Sequence, residues 1–271
     1  MKIRKIENLR FGLAVLVLIV VFAFVLPVFY RVSPYEQDLS NPLSAPSIDH
    51  PMGTDMYGRD LMARIMKGTA NTLMVSFLAS LVSLIIGIIA GVISGFSRGI
   101  ISELVMRLAD VLLGFPKLVM ILLISGILSR DIFVSFFLLA CLSWMETARI
   151  IRGEIKVIKE SLLYKSLVAA GLSFPKVLLG YISPLLRGKF LVSFTLSFAS
   201  FILIEISLSF LGLGYASPEP SLGTLLRQAR YDPAGSYWIV IFTGLIIIIL
   251  VSAVNFIADG IKDSLEENVS R

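Results

Sequence analysis

The sequence predicts an all-α integral membrane protein with six transmembrane helices, and three observations carry that expectation. Hydrophobic residues fill 56% of the 271 positions and the mean hydropathy is +0.89, well above the roughly 45–50% apolar usage of soluble domains. Several windows reach the roughly 20 apolar residues that carry a helix across a bilayer core of about 30 Å. Within them, runs such as AVLVLIVVFAFVL and LIIIIL are apolar on every side, whereas a membrane β-barrel needs strands of about ten residues that alternate in polarity.

Taken in order, the first span is Phe11–Tyr30, preceded by Lys2, Arg4, Lys5 and Arg10. Basic residues before an apolar run resemble a secretory signal, but the run is too long and PVFYRV offers no small-x-small cleavage site. Residues 31–69 form an outside loop whose first half is rich in Pro and Ser and reads as irregular. In its second half Leu61, Met62, Ile65 and Met66 share one helical face, with Asp60, Arg64 and Lys67 on another. That pattern predicts a short amphipathic helix at the outer membrane surface, with an early start of the second span as the alternative. The second span, Leu73–Phe96, carries Gly87, Gly91 and Gly95 on one face, a pattern that lets membrane helices approach closely. The third, Leu104–Leu128, is broken at Pro116, and the fourth is Asp131–Ala148. The fifth and sixth are Phe190–Leu211 and Tyr237–Ala258.

Ionisable groups at membrane depth are costly and tend to face a bundle interior or a water-filled path. Arg107 and Asp110 follow Glu103 at helical spacing, where they can pair; Lys117 follows Pro116, and Glu205 has no basic neighbour within a turn or two. Arg107, Asp110, Lys117 and Glu205 are therefore candidates for a pathway or its gate. The alternatives are snorkelling for the bases and a buried structural role for Glu205.

Counting Lys and Arg near the span ends orients the chain. With the N-terminus inside, four fall in residues 1–10, two at Arg98 and Arg107, eight in 149–189 and two at the C-terminus, sixteen in all, against seven outside. Both termini are expected in the cytoplasm. The net charge of +5 is then the excess that inside loops carry, and needs no nucleic acid to explain it. One cysteine and one histidine exclude a disulfide framework and a Cys/His metal cluster within the chain, and with them a membrane enzyme built on such ligands. Cys141 reads as a small apolar packer and His50 as a solvated loop histidine.

Between the fourth and fifth spans, ESLLYKSLVAAGLSFPKVLLGYISP (Glu160–Pro184) is half polar. Ile151, Ile155, Ile158 and Leu162, then Leu163, Leu167 and Ala170, recur at helical spacing from about residue 146 onward. Gly171 can take positive φ and end that helix; Ser173 is a plausible N-cap and Pro175 suits the first turn of the next. The segment predicts a helix, a tight turn and a second helix whose exposed face docks on something in the cytosol.

This helix–Gly–helix, closed by ISP, resembles the EAA loop of ABC-importer permeases. Three other stretches narrow the match: HPMGTDMYGRDLMARIMKG (His50–Gly68), RLADVLLGFP (Arg107–Pro116) and EISLSFLGLGYASPEPSLGTLL (Glu205–Leu226). Together, and in this order over nearly the whole chain, they resemble the second permease subunit of oligopeptide, dipeptide and nickel importers. The resemblance implies a type I permease fold in the cytoplasmic membrane, with residues 1–68 as first span, outer loop and amphipathic helix, and 69–271 as a five-span core whose coupling loop covers about 149–189. It implies an outer motif of Gly53, Thr54, Asp55, Gly58, Arg59 and Asp60. ATPase-coupling residues are implied at Glu160, Tyr164, Lys165, Ser166, Leu167, Ala170, Gly171, Leu172, Ser173 and Pro184. Implied partners are a second permease subunit, two ATPase subunits, an extracytoplasmic binding protein and membrane lipid. The chain itself carries no metal or cofactor on this reading; ATP and Mg²⁺ belong to the ATPases. Where the family has Glu-Ala-Ala, this chain has Lys165, Ser166 and Leu167, which reverses the sign of the expected contact. The only Gly-Lys pair, Gly188–Lys189, precedes Phe190, so no phosphate loop is present. Peptides, nickel chelates and metallophore complexes are the substrate classes the family admits. The rival expectation is a gradient-driven transporter with Glu205 as an ion relay, although the first half holds no counterpart of the Glu160–Pro184 loop to support an inverted repeat.

Overall fold

The computed structural model describes residues 2–117, 119, 120, 123, 132–232 and 235–269, and the regular structure among them is helical. Helix α1 runs Lys2–Val20, widens into a π turn at Val21–Val25, and continues Leu26–Tyr30. Proline causes the widening. Pro27 has no N–H and its ring crowds the carbonyl four residues back, so the N–H of Leu26 reaches back five residues, to Val21. The same event recurs in helix α7, where Pro184 follows a π turn at Leu178–Ile182 and the N–H of Ser183 bonds to Leu178. The helix therefore runs from Phe174 to Leu211 and starts well before the expected Phe190.

Helix α2, Leu61–Phe96, is 36 residues long, or about 54 Å at 1.5 Å per residue. It corrects the expectation of a separate surface helix. Leu61, Ile65 and Met66 are buried, but so is Arg64 on the supposed polar face, at 1% exposure. The early-start alternative holds, because that face meets a folded loop instead of water. One continuous helix thus crosses the expected boundary at residue 68.

Helix α3, Ile100–Leu113, stops at Gly114 ahead of Pro116, as the break predicted. Helix α4 (Ile132–Cys141) and helix α5 (Met145–Glu160) are separated by a turn at Leu142–Trp144. The expected span Asp131–Ala148 is therefore divided between two helices, and Asp131, like most of 118–131, lies outside the described residues. The turn lets α5 leave the line of α4 and lie along α2. Helix α6 (Leu162–Ala169) follows a second break at Ser161, helix α8 covers Leu222–Ala229, and helix α9 covers Tyr237–Val269. Among the described residues, four helices are long and apolar enough to cross a membrane: Glu7–Tyr30, Leu61–Phe96, Phe174–Leu211 and Tyr237–Ser264.

Helix α2 is the hub, touching α3, α4, α5, α7 and α8. Its glycine face meets α5 in register. A Cβ built on Gly87 would lie 2.6 Å from Thr147 Cβ, one on Gly91 2.7 Å from Ile151 Cβ, and one on Gly95 2.9 Å from Ile155 Cβ. Only hydrogen fits, so the backbones approach as closely as membrane packing demands when no hydrophobic effect drives helices together. Lys159 adds a polar lock, its Nζ donating to the Gly95 and Phe96 carbonyls at 3.3 Å and lying over the Phe96 ring. At a helix C-terminus a cation also meets a favourable dipole. Helix α1 packs on α9 in a similar way, through Gly12 against Ala253 and Gly260 against Leu9.

Adding a side chain to the α2–α5 seam forces the helices apart, at a cost of about 1–3 kcal/mol for overpacking. Gly91→Leu is expected to lower the unfolding midpoint of the detergent-purified protein. Gly244→Leu, where a Cβ meets nothing within 4 Å, leaves it unchanged; equal midpoints for the two variants contradict the seam.

Candidate functional site

The stretch Gly53–Asp60 closes on itself at the end of the bundle that carries residues 31–60. Thr54 and Asp60 pair as an antiparallel bridge. Asp55 Oδ1 accepts the N–H of Tyr57 at 2.8 Å and of Arg59 at 3.1 Å. Gly58 sits at φ 70°, and a Cβ there would overlap the carbonyl of Asp38. The other Asp55 oxygen accepts Arg59 Nε at 2.8 Å and lies 3.2 Å from Arg64 Nε, and no side chain of this triad is more than 2% exposed. Arg64 Nη1 also donates to the Pro34 carbonyl at 2.8 Å. Asp60 caps α2 by accepting Ala63 N–H at 2.7 Å, and takes the Tyr30 hydroxyl at 3.0 Å. His50 Nδ1 lies 2.8 Å from the same Asp60 oxygen, so the expected solvated histidine is instead half-buried and held. The polar residues of the motif are occupied by the surrounding loop and the first turn of α2, and the stretch acts as a clamp on the start of that helix.

A second tie joins this loop to residues 212–221. Tyr35 donates its hydroxyl to Glu219 at 2.8 Å, and Asn71 Nδ2 donates to Glu219 at 3.1 Å and to the Pro220 carbonyl at 2.8 Å. Partial burial and then the Glu219 carboxylate push the Tyr35 phenol up to about 12.

Glu205 is fully buried at the joint of α2, α7 and α8. It accepts Thr72 Oγ1 and Ser209 Oγ, each at 2.6 Å. Thr72 in turn receives the Leu222 N–H at 3.4 Å, beside the Ser221–Thr224 capping box that starts α8. Gly223 lets α8 close on α7, since a Cβ there would stand 2.2 Å from the Ile206 carbonyl. Its partner on another helix is the Thr72 hydroxyl, not a base, and Glu205 lines neither cavity described next.

A cavity of about 250 Å³ with a mixed polar and apolar lining lies between Lys117, the start of α5, α7 and α9. Lys117, Ser143, Glu146, Ser197, Ser200 and Asn255 contribute its polar lining. Lys117 Nζ donates to Glu146 Oε1 at 2.8 Å. Of the other charged candidates, Asp110 pairs with Arg149 on α5, and exposed Arg107 pairs with Glu103 on its own helix. Neither pair lines the cavity. A second cavity, of about 560 Å³, is apolar and lies between α1, α2, α7 and α9, with Phe77, Phe194 and Phe198 in its wall.

The segment from Glu160 carries the turn that Gly171 predicts. The N–H of Gly171 bonds to Val168 and that of Leu172 to Leu167, with Gly171 at φ 75°, which is a Schellman close. The continuous helix expected from 146 to 170 is corrected: it breaks at Ser161, whose hydroxyl caps α6 by accepting the Tyr164 N–H at 3.2 Å. A serine can compete for backbone donors in this way. Tyr164 and Leu167 turn inward onto α5, α7 and Phe96. Glu160, Lys165, Ser166, Ala170, Gly171, Leu172 and Ser173 are exposed, while Pro184 is half-buried inside α7. Between them the helix displays the apolar groups Leu162 at 85% and Val168 at 51% exposure.

Glu146, Ser197, Ser200 and Asn255 escaped sequence reasoning, although a lone amide in an apolar span and two serines at i, i+3 were readable signals. Thr72 and Ser209 escaped because hydroxyls in a span carry no charge to mark them.

Residues 83–271 match the family described as binding-protein-dependent transport system inner membrane component. The chain is 36% identical over 257 residues to the oligopeptide transport system permease protein OppC of Escherichia coli K12, covering 94% of this chain and 85% of that one. It is 32% identical over 262 residues to the OppC protein of Bacillus subtilis 168, covering 96% and 85%. It is 32% identical over 257 residues to the glutathione transport system permease protein GsiD of Escherichia coli O6:K15:H31, covering 93% and 85%. In fold it is similar to a chain of an inward-facing MetNI methionine ABC transporter, with a TM-score of 0.57 at 14% identity over 74% of this chain and 97% of that one.

Removing one member of a buried ion pair strands the other, at a cost of about 3–5 kcal/mol, so Asp55→Ala is expected to destabilise the detergent-purified protein strongly. Glu103→Ala, at an exposed pair that contributes little, leaves it nearly unchanged, and equal unfolding midpoints contradict the clamp. For Tyr35 the folded value lies above the ordinary 10.0, so its contribution is complete below about pH 10 and is lost as pH climbs toward 12. The stability difference between wild type and Tyr35→Phe should therefore shrink across that window; a constant difference contradicts the Tyr35–Glu219 contact.

Proposed function

Because the chain belongs to the binding-protein-dependent transport system inner membrane components, and is thus a multi-pass permease subunit of an ABC importer in the cytoplasmic membrane, we propose that it forms half of an inward pathway for short peptides. The other half is a related permease subunit, and two ATPase subunits drive the pair. The gradient-driven alternative is withdrawn, since the relatives are components of ABC importers. The names of those relatives, oligopeptide and glutathione systems, favour peptides over the nickel and metallophore complexes the family also admits.

On this reading the chain has six spans with both termini in the cytoplasm, as the Lys/Arg distribution favours. Residues 31–60 then face the binding protein, and α6 faces an ATPase. ATP and Mg²⁺ are held by the ATPases, and this chain needs no cofactor. The observation that carries the proposal is α6 itself: an exposed helix presenting Leu162, Lys165 and Val168 from the end of α5, which is seated on the glycine face of α2. An ATPase that contacts α6 differently when open and when closed shifts the permease between two states by that difference in affinity, and by no more. Lys165 stands exposed where an acid is usual in the family, so the ATPase surface facing it is proposed to be acidic or neutral there.

Gly171 sharpens the test, because a Cβ at that position meets nothing within 4 Å and the penalty is purely one of backbone conformation. A left-handed residue other than Gly or Asn costs about 1–2 kcal/mol. In proteoliposomes containing the complete importer, Gly171→Val is expected to keep ATP hydrolysis but lose about tenfold in peptide import, 1.4 kcal/mol being one decade, while Gly171→Asn stays near wild type. Unchanged import by Gly171→Val sinks the coupling role.

A further inference from the structure

We infer that Lys117 and Glu146 form a charge-reading subsite in the substrate path: their ion pair opens to take the terminal carboxylate and terminal ammonium of a zwitterionic peptide. This rests on the peptide reading above and adds to it which residues recognise the substrate, and by what chemistry.

Four observations support it. The two groups meet at 2.8 Å in the wall of the smaller cavity, where charges placed at membrane depth call for a wet pathway. Their side chains are 35% and 62% exposed, and a half-exposed pair of this kind contributes little net stability. Opening it is therefore readily offset when incoming ligand charges replace each partner. Ser197 and Ser200 on α7 and Asn255 on α9 supply neutral donors and acceptors suited to peptide amides, which every peptide offers whatever its side chains. A volume of about 250 Å³ falls just below the roughly 300–1,000 Å³ of complete ligand sites, as fits a half-site that a second permease subunit completes.

The placement also links recognition to coupling. Glu146 stands in the first turn of α5, where the helix dipole favours an anion, and α5 leads directly into α6. Lys117 belongs to a different element, beyond the break at Pro116. Opening the pair therefore removes the Lys117 tie on the start of α5.

The test uses the complete importer in proteoliposomes and one tripeptide in four forms: free, N-acetylated, C-amidated and doubly blocked. The same binding protein delivers every form, so its own preference cancels when variant and wild-type import ratios are compared. Lys117→Met is expected to import the free peptide about tenfold more slowly and to lose the preference for free acid over amide. Glu146→Gln loses the preference for free amine over N-acetyl. Lys117→Arg, which keeps the charge, retains both preferences and shows that the site folds. If the free-to-blocked ratios of Lys117→Met and Glu146→Gln equal those of wild type, the subsite is overturned while the peptide reading stands. If the wild-type importer carries none of the four forms, the peptide reading falls and takes the subsite with it.

Discussion

The contact on which the rest depends is the seam between α2 and α5, where Gly87, Gly91 and Gly95 receive Thr147, Ile151 and Ile155. Lipid offers helices no hydrophobic incentive to associate, so close backbone approach has to supply the attraction. Three glycines at a spacing of four provide it over two full turns. Since α2 also touches α3, α4, α7 and α8, whatever is attached to α5 is attached to the hub of the bundle. The Lys159 lock on the last carbonyls of α2 fixes the lower end of the seam, next to the break at Ser161 where α6 begins.

The opposite end of α2 is held by a different physics. There the Asp55–Arg59–Arg64 triad and the Asp60 cap bind a folded loop to the first turns of the helix. About two turns beyond Arg64, Thr72 bonds Glu205 and brings in α7 and α8. Buried charges of this kind add little stability beyond what apolar residues would give, yet they are costly to break singly, so they fix one arrangement. A single long helix thus carries a polar clamp at one end and the exposed α6 at the other, with the Lys117–Glu146 cavity beside its partner α5. That geometry suits a lever better than a static pore.

Much of this was legible in the sequence, and the misses share a cause. The four long apolar helices followed from composition, and the glycine face of α2 and the turn at Gly171 followed from local rules. The register of α2 on α5 did not, because a glycine pattern names a face without naming its partner. Residues 61–67 were misread because Arg64 looks solvent-facing until Asp55 is folded over it; tertiary pairing overrode the pattern. The breaks at Ser161 and Leu142–Trp144 arise where packing redirects a chain whose apolar periodicity runs on. The π turns before Pro27 and Pro184 absorb prolines that would otherwise end a helix. Asn255 and the Ser197–Ser200 pair each leave a mark in the sequence, but they come together only through the bundle.

If the α2–α5 seam makes α6 move with the hub, the distance between them is fixed while the importer cycles. Spin labels at Ile93→Cys and Val168→Cys, both exposed positions, in a Cys141→Ser background would report it by pulsed electron resonance in the complete importer. Rigid coupling predicts one distance distribution, the same without nucleotide and with ATP trapped. A distribution that shifts or splits on ATP binding means that α6 flexes on its own, and contradicts the seam as the path of transmission.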